Sequence, residues 1–299
     1  MGNFKYHIFA LCCLLLSFPS CEKNNTDQEQ EKLVIEGWID EGGYPMVLLH
    51  KTYVLNMNDD PRETKLVDVI ENQLIAFGKV VISDGTEEVV LTGHIDTTYM
   101  PPTLYTTTRM MGEAGKTYTI EASYKDLQAS SYTSIPVSPQ IDSLTVKAVN
   151  QTHVEAKCFI SNVPMNERAY YVCFMRYLAD NQYKVCPLGC IDNSQAKDGK
   201  LDFLIYNPLE LKDSTLSKPI FGFLREDAAM SYVLKVARVD KTCYDFWEQF
   251  AERSMLQGVL FIPIFKNIPT NIEGGYGIWC GMGAATIRFQ SYKDATYPE

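Results

Sequence analysis

Short runs in which apolar and polar residues alternate recur from residue 33 to residue 289, separated by Gly, Pro, Asn and Asp. Alternation with a period of two marks a strand with one buried face. Residues 33–39 (LVIEGWI) open the series and 46–50 follow after the turn Gly42-Gly43-Tyr44-Pro45. Residues 77–83 and 87–91 flank Asp84-Gly85, a dipeptide that favours a hairpin. Residues 117–124 and 128–135 form a second hairpin-like pair. The rhythm resumes at 141–149, 153–160, 169–177, 183–186 and 231–239, and residues 285–289 read as a closing strand. Strands at this spacing, with turn residues between them, predict antiparallel sandwiches rather than alternating strands and helices.

One segment departs from the pattern. Over residues 242–257, Cys243, Trp247, Phe250, Ala251 and Met255 recur at helical spacing. Thr242 with Asp245 resembles a capping box, and Gly258 suits the C-terminal end. The expected fold is therefore all-β in the main: two immunoglobulin-like or fibronectin-like antiparallel β-sandwich domains, the second carrying one helix near 242–257. Pro136-Val-Ser-Pro139 breaks the strand rhythm and places the boundary, giving domains at 33–137 and 138–299.

The start of the chain has a different character. Lys5 precedes an apolar run at residues 8–18 (IFALCCLLLSF), interrupted only by Ser17, and Pro19-Ser20-Cys21 follows. Eleven residues are too few to span a bilayer, which takes about 20; a basic start, a short apolar core and a small residue before a cut site describe an export signal. With cysteine directly after the small Ser20, the cut resembles that of a bacterial lipoprotein, in which Cys21 becomes the acylated amino terminus. Residues 22–32 contain no apolar side chain and are expected to form a solvated tether. The predicted organisation is thus a signal at 1–20, a tether at 21–32 and the two sandwiches, held on the outer membrane through the lipid, with the cell surface as one of the two faces left open.

Composition narrows the partners. Without Lys5 the exported chain holds 26 basic and 37 acidic residues, a net charge near −11. Nucleic acid and anionic membrane surfaces call for clustered Lys and Arg, so neither is expected. Six cysteines follow Cys21, all beyond residue 150: Cys158, Cys173, Cys186, Cys190, Cys243 and Cys280. They allow up to three disulfides in 15 connectivities. Cys186 and Cys190, closing a tight turn, are the candidate local pair, and Cys158 and Cys173 suit buried core positions. The absence of CxxC spacing argues against zinc, and no cofactor or metal is expected.

No short motif of a hydrolase or metalloprotease occurs, and the histidines after the signal (His50, His94, His153) are scattered. The glycine-rich stretch 271–284 (NIEGGYGIWCGMGA) invites a nucleotide-loop reading, but only sixteen residues follow Gly283, too few for the helix and acidic partner of such a site. Its glycines are expected to serve positive φ and close backbone packing where a loop enters the last strand. Catalytic residues: none are expected, and the chain is read as a protein without enzymatic activity. Tyr99, Tyr105, Tyr276 and Trp279 lie beside Pro or Gly and are the candidate ligand contacts.

Five motifs occur in order: 33–39 (LVIEGWI), 80–85 (VVISDG), 115–120 (GKTYTI), Ile135-Pro136 with 141–144 (IDSL), and 271–278 (NIEGGYGI). Together they resemble a family of Bacteroidota lipoproteins classified as a domain of unknown function. The resemblance implies an outer-membrane lipoprotein, typically encoded beside a TonB-dependent receptor with a carboxypeptidase-like regulatory domain. It implies no catalytic residues. The expected role is an accessory protein that helps such a transporter capture a nutrient; the alternative is a free-standing surface module that binds glycans or adheres.

Overall fold

The computed structural model describes residues 31–52, 72–75, 77–99, 102–148, 154–206, 231–256, 268–290 and 295–296. The predicted signal, Cys21, most of the predicted tether and His153 lie outside the described residues.

The fold is mainly β, with several antiparallel sheets and, among the described residues, one long helix, as the alternation predicts. Among the described residues, sixteen strands form three sheets. The first half supplies β1 (Leu33–Asp40), β2 (Met46–Lys51), β3 (Lys79–Ser83), β4 (Glu88–Val90), β5 (Thr92–Ile95), β6 (Thr103–Thr106), β7 (Thr117–Tyr124) and β8 (Leu127–Ser134). The second supplies β9 (Gln140–Ala148), β10 (Val154–Ser161), β11 (Tyr170–Tyr177), β12 (Lys184–Asp192), β13 (Leu201–Tyr206), β14 (Ser231–Val239), α1 (Lys241–Leu256), β15 (Gly275–Gln290) and β16 (Ala295–Thr296).

An eight-stranded sheet runs in the order β12-β11-β14-β15-β1-β2-β6-β5, and two four-stranded sheets run β4-β3-β7-β8 and β13-β10-β9-β16. Most pairings are antiparallel, but β1 joins β15 and β16 joins β9 in parallel. The large sheet draws strands from both halves, and β15 is where they meet. Residues 275–282 of β15 pair with β1, while 283–290 pair with β14. The chain crosses at Pro136–Pro139 and comes back through this strand, so the two halves share a sheet rather than each closing its own.

Side-chain alternation decides what each face of that sheet covers. On one face Leu33, Ile35, Ile39 and Trp279 pack with Val80, Ile82, Tyr118 and Ile120 of the β3–β7 sheet. Further along the same face, Tyr171, Cys173, Leu234, Val236 and Phe289 pack with Val146, Ala156, Cys158 and Phe203 of the β9–β10–β13 sheet. The intervening residues Val172, Phe174, Ala237, Ile278, Cys280 and Met282 face the other way, where Cys243, Phe246 and Ala251 of α1 cover part of them. Both small sheets therefore lie side by side on one face, and the helix lies on the other.

Local sequence accounts for the details. In β7, Tyr118, Ile120 and Ala122 point inward while Thr117, Thr119 and Glu121 are exposed. The β3–β4 connection turns at Asp84-Gly85 with Gly85 at φ 85°; Asp84 Oδ1 accepts from the Thr86 N–H and hydroxyl and from the Glu87 N–H. The helix starts one residue earlier than the periodicity predicts, and its cap is Asp240, whose Oδ1 accepts from the Cys243 N–H at 2.8 Å. A Thr242 box is replaced because Asp240 already stands at the bend out of β14.

The glycine-rich stretch is strand, not loop: β15 takes in residues 275–290 whole. Close packing is the reason glycine is required there. A β-carbon on Gly277 (φ +102°) would stand 2.0 Å from the Ile35 carbonyl oxygen, and one on Gly283 would stand 2.0 Å from that of Pro136. The Ile35 oxygen belongs to the paired strand β1 alongside, whereas the Pro136–Ser138 link crosses β15 at a distance no side chain tolerates.

Candidate functional site

The predicted aromatic contacts separate once their surroundings are known. Trp279 is fully buried, and its indole N–H donates to the Tyr118 carbonyl at 3.0 Å. Tyr105 is buried as well, with its hydroxyl accepting from the Gly78 N–H at 2.9 Å. Both belong to the core between the large sheet and the β3–β7 sheet, and neither can touch a ligand. Tyr276 is half-buried, and the Lys32 ammonium lies 5.1 Å from its ring centre. Tyr99 alone joins a larger constellation.

That constellation sits on the helix-bearing face of the large sheet, where β1 of the first half meets β14 of the second through β15. Tyr99 and Trp38 are both half-buried, with ring centres 6.4 Å apart. Burial first, and the Asp96 carboxylate second, hold the Tyr99 phenol above its usual range. Two residues beyond Trp38, Asp40 accepts from the Lys235 ammonium at 2.9 and 3.1 Å. Lys235 is 4% exposed, whereas the Asp40 side chain keeps 27% of its surface open. The ammonium also lies 5.1 Å from the Phe174 ring centre and 5.0 Å from that of Tyr183. An amine enclosed by a carboxylate and two rings has its charge answered on several sides.

The second half closes the margin. Arg176 stacks on the outer side of Tyr183 at 5.2 Å and donates to the carbonyls of Tyr177, Leu178 and Asp180. The Gln182 side-chain amide donates to the Thr98 carbonyl, joining the loop before Tyr99 to the loop before Tyr183. The result is a face of three half-buried rings (Trp38, Tyr99, Tyr183) around a partly open carboxylate that Lys235 fixes in place. Ring faces beside an immobilised acceptor can stack on a ligand's C–H surface and accept from its hydroxyls.

Sequence reasoning missed Trp38, Asp40, Lys235 and Tyr183; Lys235 stands mid-strand in SYVLKVARV, where alternation reads it as solvent-facing. The signal that could have found it is the unbroken apolar flanks on both sides, which mark a strand buried on both faces.

Other predicted or conceivable chemistry does not converge. His50 is buried with Nε2 3.6 Å from Glu36 Oε1, and His94 is exposed on β5. Asp96 closes its own turn by accepting from the Thr98 N–H and hydroxyl, which lowers its carboxyl below the usual range. Among the described residues, no group of three His, Cys, Asp or Glu side chains could hold a metal ion. A shallow cleft of about 480 Å³ on the β3–β7–β8 sheet, bordered by Lys79, Glu121 and Glu273, contains none of the predicted contacts.

The Cys186–Cys190 bond is a prediction the structure overturns. All six cysteines after Cys21 are thiols. Cys186 points into the core of the second half, while Cys190 packs on the helix side of the sheet. A bulge between them, in which Gly189 lies against Cys173 and Cys186, sends the two side chains to opposite faces.

Fold and face together define a mainly β protein in which aromatic rings and an ion pair meet where the two halves share a sheet. The family model described as Domain of unknown function (DUF4249) matches residues 22–288, and the chain belongs to that family. No curated protein matches the chain. Among the described residues no helix is long and apolar enough to cross a membrane.

Proposed function

We propose that the chain is a lipid-anchored, non-enzymatic binding protein of the cell envelope that works beside a TonB-dependent outer-membrane transporter in nutrient capture. The observation that carries the binding role is the junction face: Trp38, Tyr99 and Tyr183 half-buried around Asp40, with Lys235 holding the carboxylate still. Pre-positioned rings and a fixed acceptor lose little freedom on binding, which favours a recognition surface. The anchor and the location rest on the sequence, where Cys21 follows an export-type run. The family match beginning at residue 22, directly after that cysteine, is consistent with Cys21 as the mature start.

The test is isolation of the tagged full chain from detergent-solubilised outer membrane. Recovery of a TonB-dependent transporter in stoichiometric amount, together with acyl chains on the Cys21 peptide, is the expected result. Recovery as a lone protein without lipid would refute the proposal. If the lone protein instead binds neutral glycans and loses that binding on Trp38→Ala with its fold intact, the free-standing glycan module is the right reading.

A further inference from the structure

Cys243 and Cys280 are 37 residues apart in sequence yet adjacent in the fold. Cys243 lies in the first turn of α1 with its side chain inward, and Cys280 lies mid-way along β15 on the face the helix covers. Both are 0% exposed and belong to one apolar cluster. The Cys243 thiol reaches the carbonyl of Trp279, the residue before Cys280, at 3.8 Å. Their approach does not depend on the sulfurs. Asp240 caps the helix, and Trp247 packs edge-on against Phe174 of β11 at 5.0 Å, so the helix is seated by independent contacts.

We propose that Cys243 and Cys280 form a disulfide when the protein meets a thiol–disulfide oxidant, stapling the first turn of α1 to β15. Two S–H bonds and the oxidant's S–S bond break. One S–S bond forms between the two cysteines, and the oxidant leaves as two thiols carrying the two electrons and two protons. The oxidant is a disulfide of a redox protein or a small-molecule disulfide such as oxidised glutathione. Exchange proceeds through a thiolate. Burial, then the Cys280 thiol and the Asp240 carboxylate, push the Cys243 thiol well up in the docked helix. Attack therefore takes place before α1 docks or while it is transiently open. Cys186 and Cys190 cannot compete, since they point to opposite faces of β12. The inference goes beyond the proposed function and needs neither the transporter nor the lipid.

The full chain, reduced and then equilibrated with oxidised glutathione, is alkylated under denaturing conditions before and after reduction, digested and mapped by mass. The expected result is protection of Cys243 and Cys280 before reduction and a linked peptide joining them, lighter by two hydrogens than its reduced parts. Cys243→Ser should restore alkylation of Cys280 and leave the other cysteines as in the parent. Because the parent protein is mapped directly, a misfolded variant does not obscure the answer. Full alkylation of both cysteines before reduction, or a dominant link between Cys173 and Cys186, would overturn the proposal.

Discussion

Replacing Gly283 by alanine tests the claim that a crossing of backbones, rather than a loop, explains the glycine-rich end. The added β-carbon would stand 2.0 Å from the Pro136 oxygen, 2.8 Å from its carbonyl carbon and 3.0 Å from the Ser138 nitrogen, against an ordinary contact of at least 3.4 Å. The obstacle is main chain, so no rotamer relieves it, and β15 or the Pro136–Ser138 link must move by more than about 1 Å. Overpacking typically costs about 1–3 kcal/mol. Movement here is opposed by the β14 ladder, which includes Gly283, and by the β1 ladder, which ends at the adjacent Met282, so the upper end, about 3 kcal/mol, is expected. Gly277→Ala meets the Ile35 oxygen at 2.0 Å and adds the strain of φ +102°, about 1 kcal/mol more. Gly42→Ala has φ +71° but nothing within 4 Å, so it isolates the backbone strain at about 1 kcal/mol. Urea unfolding followed by tryptophan fluorescence measures all three, and 3 kcal/mol corresponds to a midpoint shift of about 1 M. A Gly283→Ala midpoint within about 0.2 M of the parent would refute the crossing, and a Gly42→Ala cost equal to that of Gly277→Ala would refute the close approach of Ile35.

The Asp40–Lys235 pair should respond unequally to its two deletions. Asp40→Ala strands a buried ammonium and is expected to cost about 3 kcal/mol, whereas Lys235→Met leaves a carboxylate that water can reach and costs about 1 kcal/mol; equal costs in urea melts would contradict the burial difference. Trp279→Ala should cost about 4 kcal/mol in the same assay, from the cavity and the unpaired Tyr118 carbonyl; a stable variant would move Trp279 out of the core. The hydrogen bonds of Thr86 and Glu87 hold the Asp84 carboxyl well below its usual range. Its stabilisation is therefore complete above the unfolded value of about 3.9 and fades as pH falls below it. The stability gap between the parent and Asp84→Asn should narrow steadily from pH 5 to pH 2, and a constant gap would exclude the carboxylate as its source.

Much of the strand pattern was legible because local and tertiary demands agree. Tyr118, Ile120 and Ala122 alternate with polar residues because one face of β7 is solvated, and Asp84-Gly85 closes a hairpin by its own chemistry. What was illegible depends on partners distant in sequence. Gly277 and Gly283 look like loop residues until Ile35 and Pro136 are placed across from them. Trp279 and Tyr105 look like exposed aromatics beside Gly and Pro, yet hydrogen bonds to Tyr118 and Gly78 hold them inside. Cys186 and Cys190 suggest a pair through their spacing, and the bulge at Gly189 undoes it. Of the candidate face, only Tyr99 was foreseen, because the other members come from strands whose adjacency is set by β15 alone.

That adjacency gives the junction face a physical consequence. Trp38, Asp40 and Tyr99 belong to the first half, while Lys235, Tyr183 and Gln182 belong to the second, and the Asp40–Lys235 pair and the Gln182–Thr98 hydrogen bond cross between them. A ligand seated there, as proposed, would touch both halves at once, so its binding energy would be available only with the halves in register. The shared strand β15 already enforces that register through ladders to β1 and β14. The ordering a ligand would otherwise impose is therefore present before it arrives, and the face is rigid by virtue of the sheet beneath it rather than of the loops around it.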